Sequence, residues 1–415
     1  MQIFKRQKYL QKIEKSLQDK SKVLFLIWPR QAGKTTLLKS LVEFEIISNQ
    51  ETLFLEWNLL QEEWIALYKD LIAYLNLNYD LDKIKYLIID EGQLAANLWN
   101  ILFQFINEIR NWKFDLKIIV SGSWSLNIFK NITDSLVWRK EILNVWPFDF
   151  EEFVQAKWKK FFVSDSQVAI NQYLQLWQEY VLWGGYPKVV LSQVPEEKLK
   201  NLKEIYSSYL EKDIRYLLDE KDILHLKKIL FEIWKRIDSQ ITFADIVESV
   251  WIKRYAFEKI LFVLENTFIV QSLKPFISWK FEKEVKKKEK IYFVDFGILR
   301  FVLDYTNVEL LKPLLVENFV FNQQLFNLPD YVQLYFWWKY NEVEIDFIRK
   351  NLINWKIQAI DAKITKKDNI PKSYLNFCKQ IDNFDKFVIT TENLMKVRKE
   401  DCLFEFVPYV YGLRL

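Results

Sequence analysis

The run Trp28-Pro29-Arg30-Gln31-Ala32-Gly33-Lys34-Thr35-Thr36 carries the residue types of a phosphate-binding loop. In the spacing G-x-x-x-x-G-K-[ST], glycines let backbone N–H groups fold around phosphates, the lysine meets the β and γ oxygens, and the hydroxyl joins Mg²⁺. Gly33, Lys34 and Thr35 supply the last three of these positions, and Trp28 stands at the first. Farther along, the apolar run Tyr-Leu-Ile-Ile ends in Asp90 and Glu91. Asp90 can share a Mg²⁺ with Thr35, and Glu91 follows it where a base can polarise an attacking water. Ser121 and Ser123, which end LKIIVSGS, offer hydroxyls to a γ-phosphate. Arg139 offers a cation to transition-state charge, in cis or across a subunit interface. A lone GK[ST] would say little; the loop combined with an acidic strand end implies ATP and Mg²⁺ as ligands.

Those groups need elements that bring them together. KVLFLI before the loop reads as a strand and TTLLKSLVEF after it as a helix, which aims the positive helix end at the phosphates. TLFLE, KYLIID, LKIIVS and EILNV are further strand candidates, separated by helical patterns. Short apolar strands alternating with helices indicate a parallel sheet covered on both faces. At 415 residues the chain exceeds the size of a single core, so several domains are expected. After Trp146-Pro147 the apolar spacing becomes helical, interrupted at WGGYP (Trp183 to Pro187), which reads as a turn between helices. Between Lys228 and Phe276 a helix, ITFADIVESV, a turn at Trp251, KRYAFEKILFVLEN and FIVQSLKPF follow in the order of a winged helix-turn-helix. FEKEVKKKEK, Phe281 to Lys290, reads as a charged hairpin tip or solvated loop. The boundaries expected are 1–150, 151–227, 228–280 and 281–415.

A second chemical constellation lies near the C-terminus. Glu317 in LLVENFVFN, Asp346 in EVEIDFI, and Asp361 with Lys363 in IDAKI resemble the PD-(D/E)xK nuclease arrangement. There a helix glutamate and two strand carboxylates hold Mg²⁺, and the lysine orients water or offsets developing charge. Asp361 and Lys363 are two apart and so share one face of a strand. Lys253, Arg254 and Lys259 lie on or near the second helix of the winged segment, where they could approach DNA. Three basic residues on a helix are more usually a solvated face, and without a charge excess they say little for DNA binding.

Composition excludes other chemistries. Cys378 and Cys402 are the only cysteines and His225 the only histidine, which leaves no disulfide framework, thiolate zinc site or histidine triad. Any metal must therefore be a hard ion on carboxylates and phosphates. The net charge of +4 permits a nucleic-acid partner without requiring one. No apolar run reaches the ~18 residues of a membrane helix, and the start has no segment suited to secretion, so a cytoplasmic location is expected.

Only 7 glycines stand beside 17 tryptophans, where usual composition gives about 29 glycines in a chain this long. Trp112 and Trp355 sit in Asn-Trp-Lys, at places where Asn-Gly would be the natural turn, and Trp28, Trp124 and Trp138 fall in tight loops. These positions suggest UGA codons that the source organism reads as glycine.

Taken together the motifs resemble a family of AAA-like ATPases of bacteria and archaea that carry a C-terminal domain of unknown function, numbered 4143. The resemblance rests on PRQAGKTTLL, IIDEGQ, SGSWSL, VWRKEILNVWPFDFEEF, WGGYPKVV, YLEKDI, YFVDFGIL, LLVENFVFN and EVEIDFI. It implies an α/β fold: a P-loop NTPase parallel sheet with a helical lid, a winged helix-turn-helix and a C-terminal nuclease-like mixed α/β domain. ATP binding and hydrolysis are implied with it. Members typically show glycine at the positions of Trp28 and Trp138. Three readings are compatible with these residues: an ATPase acting on DNA or a protein partner, a DNA-binding or nuclease module with a regulatory or degenerate P-loop, and a non-enzymatic nucleotide-gated interaction protein; each is compatible with an oligomer. The recoding idea makes a direct prediction, UGA at Trp28 and Trp138 in the gene; UGG at both contradicts it.

Overall fold

Short apolar strands can bury both of their faces only under helices on each side. Such a sheet forms in the computed structural model, which describes residues 3–29, 31–56, 67–92, 98–110, 115–123, 140–209, 214–237, 241–276, 288–303, 307–338, 344–364, 370–391, 394–400 and 402–411. The chain divides into two compact units, Met1–Pro147 and Phe148–Leu415.

In the first unit, β1 (Val23–Trp28), β2 (Thr52–Glu56), β3 (Tyr86–Asp90), β4 (Lys117–Ser123) and β5 (Lys140–Asn144) are the runs expected to be strands. They lie in the order β2-β3-β4-β1-β5, with every neighbouring pair parallel. Successive residues of a strand point to opposite faces, and the consecutive Val23, Leu24, Phe25, Leu26 and Ile27 are all buried, so both faces of β1 are covered. Helices Gln7–Leu17, Lys34–Glu43, Tyr68–Asn78 and Leu98–Arg110 accompany the sheet. Because β4 lies between β1 and β3, the loop after β1 and the ends of β3 and β4 gather at one edge, where ligands of open parallel sheets sit. Trp28 ends β1 in register with Ser123, so its backbone belongs to the strand and not to the tight loop in which its sequence position placed it.

The second unit opens with helices Phe150–Ala156, Gln167–Trp183, Pro187–Val190, Pro195–Ser208, Arg215–Leu217 and Glu220–Trp234. The two-residue strand β6 (Ile241–Thr242), helices Phe243–Val250 and Arg254–Asn266, and strands β7 (Val270–Leu273) and β8 (Lys288–Phe293) follow. These strands form an antiparallel sheet in the order β6-β8-β7. Lys288, Glu289 and Lys290, expected in a solvated tip, belong to β8, and Lys290 is fully buried. Next come helices Phe296–Leu303 and Lys312–Phe326, then β9 (Val332–Trp337), β10 (Ile345–Asn351), β11 (Ile357–Asp361), helix Lys372–Gln380, β12 (Phe384–Thr391), β13 (Met395–Lys399) and β14 (Cys402–Pro408). Their sheet runs β13-β14-β12-β11-β10-β9 and mixes parallel and antiparallel pairs.

Aromatic packing joins the early helices of this unit to its late ones. Phe319 lies edge-on to Phe150, Tyr180 and Trp177, with centroids 5.5, 5.9 and 6.2 Å away. The Gly184-Gly185 turn is fitted to Asp295. The Gly185 N–H donates to Asp295 Oδ2 at 2.7 Å, and a Cβ on Gly184, whose φ is +78°, would come within 2.4 Å of Asp295 Oδ1. Burial pushes the Asp295 carboxyl up to about 6 against the pull of the Gly185, Ile298 and Gly297 N–H groups. This turn therefore joins helices by close backbone approach.

Among the described residues, the non-glycine positions with positive φ include Trp158, Trp251 and Trp355, at 60°, 60° and 59°. Trp158 and Trp251 each follow a helix end. Lys159 N–H reaches back to Val154 O at 3.2 Å, and Ile252 N–H to Val247 O at 3.2 Å, the bonding of a left-handed helix stop that favours glycine. Glu45 and Phe268 accept the same conformation, so it does not by itself demand glycine. Phe268, 6% exposed, gains burial in return, whereas Trp158 and Trp251 are 84% and 91% exposed and gain none. Replacing either by glycine should therefore raise stability by roughly 1 kcal/mol, measured by denaturant unfolding, while Phe268→Gly lowers it.

Candidate functional site

The end of β1 releases the chain into a loop whose backbone is shaped by left-handed residues. Gln31 has φ 59° and Gly33 φ 90°. Gly33 caps the helix Lys34–Glu43 without any side-chain hydrogen bond, leaving the first N–H groups of that helix without a capping side chain. Pro29 and Ala32 are buried, which fixes the loop from beneath.

Four side chains expected to act together are brought together here. Thr35 Oγ1 donates to Asp90 Oδ2 at 2.9 Å. Asp90, 3% exposed, also accepts from the Ser121 hydroxyl on the neighbouring strand and from the Glu91 N–H at 3.0 Å. Ser121 is wholly buried and therefore orients the carboxylate instead of meeting a phosphate. Lys34 Nζ pairs with Glu91 Oε1 at 2.5 Å, and Glu91 takes a left-handed φ of 58° just past the strand end. This set fits a nucleotide with Mg²⁺: an N-terminal helix end free of side-chain caps, an ammonium, and a hydroxyl held beside a carboxylate. Arg30, Arg139, Trp112, Trp124 and Trp138 lie outside the described residues, as do the side chains of Trp28 and Ser123. Thr36 belongs to the helix after the loop.

In the second unit, Glu317 comes from helix Lys312–Phe326, Asp346 from β10 and Asp361 from the end of β11. Lys290 of β8, which sequence reasoning left in solvent, lies among them. Its Nζ is 2.9 Å from Glu317 Oε1, 3.1 Å from Asp346 Oδ1 and 2.8 Å from Glu344 Oε1. The signal available in the sequence was the alternation Lys288, Lys290, Tyr292, which sets Lys290 on the same strand face as Tyr292. Tyr292 OH donates to Glu317 Oε1 at 2.8 Å, and the Ala362 N–H to Asp346 Oδ2 at 2.8 Å. Asp361 Oδ2 pairs with Lys363 Nζ at 2.7 Å and accepts from Tyr374 OH at 2.5 Å.

Three carboxylates face one ammonium in this buried cluster, so it retains a proton. Burial, with the charge of Asp346, pushes Glu317 up to about 8 against the pull of Lys290. Burial, again with Asp346, pushes Asp361 up to about 7 against Lys363 and Tyr374. Burial alone would lower the Lys290 ammonium, but Tyr292, Glu317, Asp346 and Glu344 outweigh it and hold the group well above the ordinary lysine value. Among the described residues no group of three or more His, Cys, Asp or Glu is disposed to hold a metal ion. Glu317, Asp346 and Asp361 thus do not fit a resident Mg²⁺, because each already meets a lysine ammonium. The basic residues of helix Arg254–Asn266 are also committed in part. Lys259 Nζ pairs with Asp222 Oδ2 at 2.7 Å, and Arg254 Nε with Glu258 Oε1 at 2.7 Å. No described helix is long and apolar enough to cross a membrane.

Residues 20–154 match a family model described as an AAA domain, and residues 174–309 match one described as a domain of unknown function, DUF8612. The latter lies mostly before residue 281 and does not confirm the C-terminal domain numbered 4143 to which the sequence pointed. The residues that match the AAA domain contain the parallel sheet, the loop after β1 and Asp90. An uncharacterized protein of Methanocaldococcus jannaschii is 26% identical over 95% of this chain and 88% of its own length. An uncharacterized protein of Haemophilus influenzae is 24% identical over 77% of this chain and 78% of its own. The Aeropyrum pernix ORC1 protein in complex with DNA aligns at 15% identity over 72% of this chain and 92% of that one, with a TM-score of 0.31. AMPPCP-bound DnaA from Aquifex aeolicus aligns at 11% over 62% and 86%, with a TM-score of 0.27. Structural likeness at this level carries no argument of its own.

The Lys34–Glu91 pair competes with nucleotide phosphates for the lysine. Glu91→Gln should therefore bind Mg-ATP roughly two- to five-fold more tightly in a fluorescent-nucleotide titration. An unchanged affinity would mean that the pair imposes no cost on binding.

Proposed function

We propose that the protein binds ATP with Mg²⁺ at residues 28–36 and hydrolyses it, and that nucleotide state governs how the rest of the chain engages DNA or a protein partner. The observation that carries this reading is the joint placement of Thr35 beside Asp90 and Lys34 beside Glu91 at one edge of the sheet. In it, the backbone N–H groups of residues 28–36, Pro29 having none, wrap the phosphates and Lys34 meets the β and γ oxygens. Thr35 and Asp90 hold the metal, with Ser121 fixing the carboxylate. When bound, Mg²⁺ neutralises charge that develops on the phosphoryl oxygens. Glu91 leaves Lys34 to polarise the attacking water, Ser123 contacts the γ-phosphate, and Arg139 meets the transition state from its own subunit or an adjacent one in an oligomer.

The division of labour proposed for the chain is an AAA-like ATPase domain over 1–150, a helical lid over 151–227, a winged helix over 228–280 and a nuclease-like α/β domain over 281–415. The order helix, β6, helix, helix, β7 supports the winged helix, with β8, beyond residue 280, completing its β6-β8-β7 sheet. Helix Lys312–Phe326 followed by β9, β10, β11, a helix and β12 supports the nuclease-like topology. A cytoplasmic setting suits an ATP-dependent protein. A protein partner is the stronger candidate, since Lys259 and Arg254 are partly neutralised by Asp222 and Glu258.

Steady-state ATP turnover, with and without DNA, tests the reading. Wild-type protein should hydrolyse ATP, and Lys34→Ala should reduce turnover by about 100-fold or more. Nucleotide binding with no turnover under any condition would leave only a nucleotide-gated interaction protein.

A further inference from the structure

We propose that the Lys290 ammonium is the resident cation of the C-terminal acidic cluster, so that this cluster is a structural centre closed to divalent metal. The inference stands apart from the nucleotide site and does not depend on it.

An ammonium presents three N–H donors. Lys290 Nζ donates to Glu317 Oε1 and Asp346 Oδ1 at 2.9 and 3.1 Å and forms an ion pair with Glu344 Oε1 at 2.8 Å. Its side chain is wholly shielded from solvent, and those of Glu317 and Asp346 are 8% and 13% exposed. The point between Glu317 and Asp346, where a shared cation would sit, is therefore filled by a group covalently tied to β8. Mg²⁺ requires oxygens in octahedral array at ~2.1 Å and keeps several of its waters. Entry of such an ion would drive the ammonium from its partners and strand it in the core, among the most destabilising changes a buried site can suffer.

The remaining parts of the arrangement are committed in the same way. Asp361 is paired to Lys363 at 2.7 Å and bonded to the Tyr374 hydroxyl. Lys363, the group that would orient a water in a metal-dependent nuclease, also reaches Tyr374 OH. Asp346 Oδ2 is held by the Ala362 N–H. The carboxylates hold together β8, helix Lys312–Phe326, β10, β11 and helix Lys372–Gln380 by ion pairs and hydrogen bonds, and leave the cluster without cleavage chemistry.

Terbium luminescence, sensitised through tyrosine in full-length nucleotide-free protein, reads the cluster directly because Tyr292 is bonded to Glu317. Wild type and Glu317→Gln should give the same emission. Lys290→Gln should gain emission several-fold, and adding Glu317→Gln to it should abolish the gain. Wild-type emission that falls in Glu317→Gln overturns the proposal, as does a folded Lys290→Gln without gain. Should Lys290→Gln fail to fold, the comparison of wild type with Glu317→Gln decides alone. Mg²⁺-dependent nicking of DNA by wild type, lost in Asp361→Ala, would also overturn it.

Discussion

Asp90 is the constraint on which the nucleotide site depends. Its carboxylate accepts a hydroxyl from the loop helix through Thr35 and another from the adjacent strand through Ser121. A buried carboxylate must have such partners, since an unsatisfied one would cost more than its neighbourhood gains from packing. The strand order β3-β4-β1 makes this possible, because it sets the ends of β3 and β4 beside the loop that leaves β1. The apolar strands are thus the reason that Thr35 and Asp90, far apart in sequence, share one hydrogen bond.

The second unit depends on buried charge in another way. Lys290 and Asp295 lie on and just after β8, and each organises what surrounds it. Lys290 gathers carboxylates from a helix and from β10, while Asp295 receives the Gly185 and Ile298 N–H groups and so binds the glycine turn to the helix that follows β8. Buried ion pairs are weak sources of net stability but strict about geometry, because losing one partner leaves the other uncompensated. Aromatic packing around Phe319 adds a further tie between helices from the start of the unit and helix Lys312–Phe326.

The parallel sheet was legible because apolar runs with helical spacers have few other solutions, and Lys34, Thr35, Asp90 and Glu91 followed from motif spacing alone. What stayed hidden was pairing. Ser121 read as a ligand contact because its hydroxyl lies at a strand end, and only the neighbouring strand reveals that it serves Asp90. Lys290 read as solvent because it closes a charged run, and its burial is set by β10 and a helix that come later in the chain. Carboxylates chosen as metal ligands met a lysine instead, an outcome that linear spacing of Glu317, Asp346 and Asp361 could not disclose. The tryptophans show the reverse case. Trp355 was singled out by its turn context, and its left-handed backbone agrees with that context.

The central claim is that a metal–nucleotide complex sits between the loop helix and Asp90. Mn²⁺ ENDOR spectroscopy of the protein with a non-hydrolysable ATP analogue tests it most directly. The account predicts phosphorus coupling to a protein-bound Mn²⁺ that disappears in Asp90→Asn. Bound Mn²⁺ without phosphorus coupling, or coupling unchanged in Asp90→Asn, would contradict it.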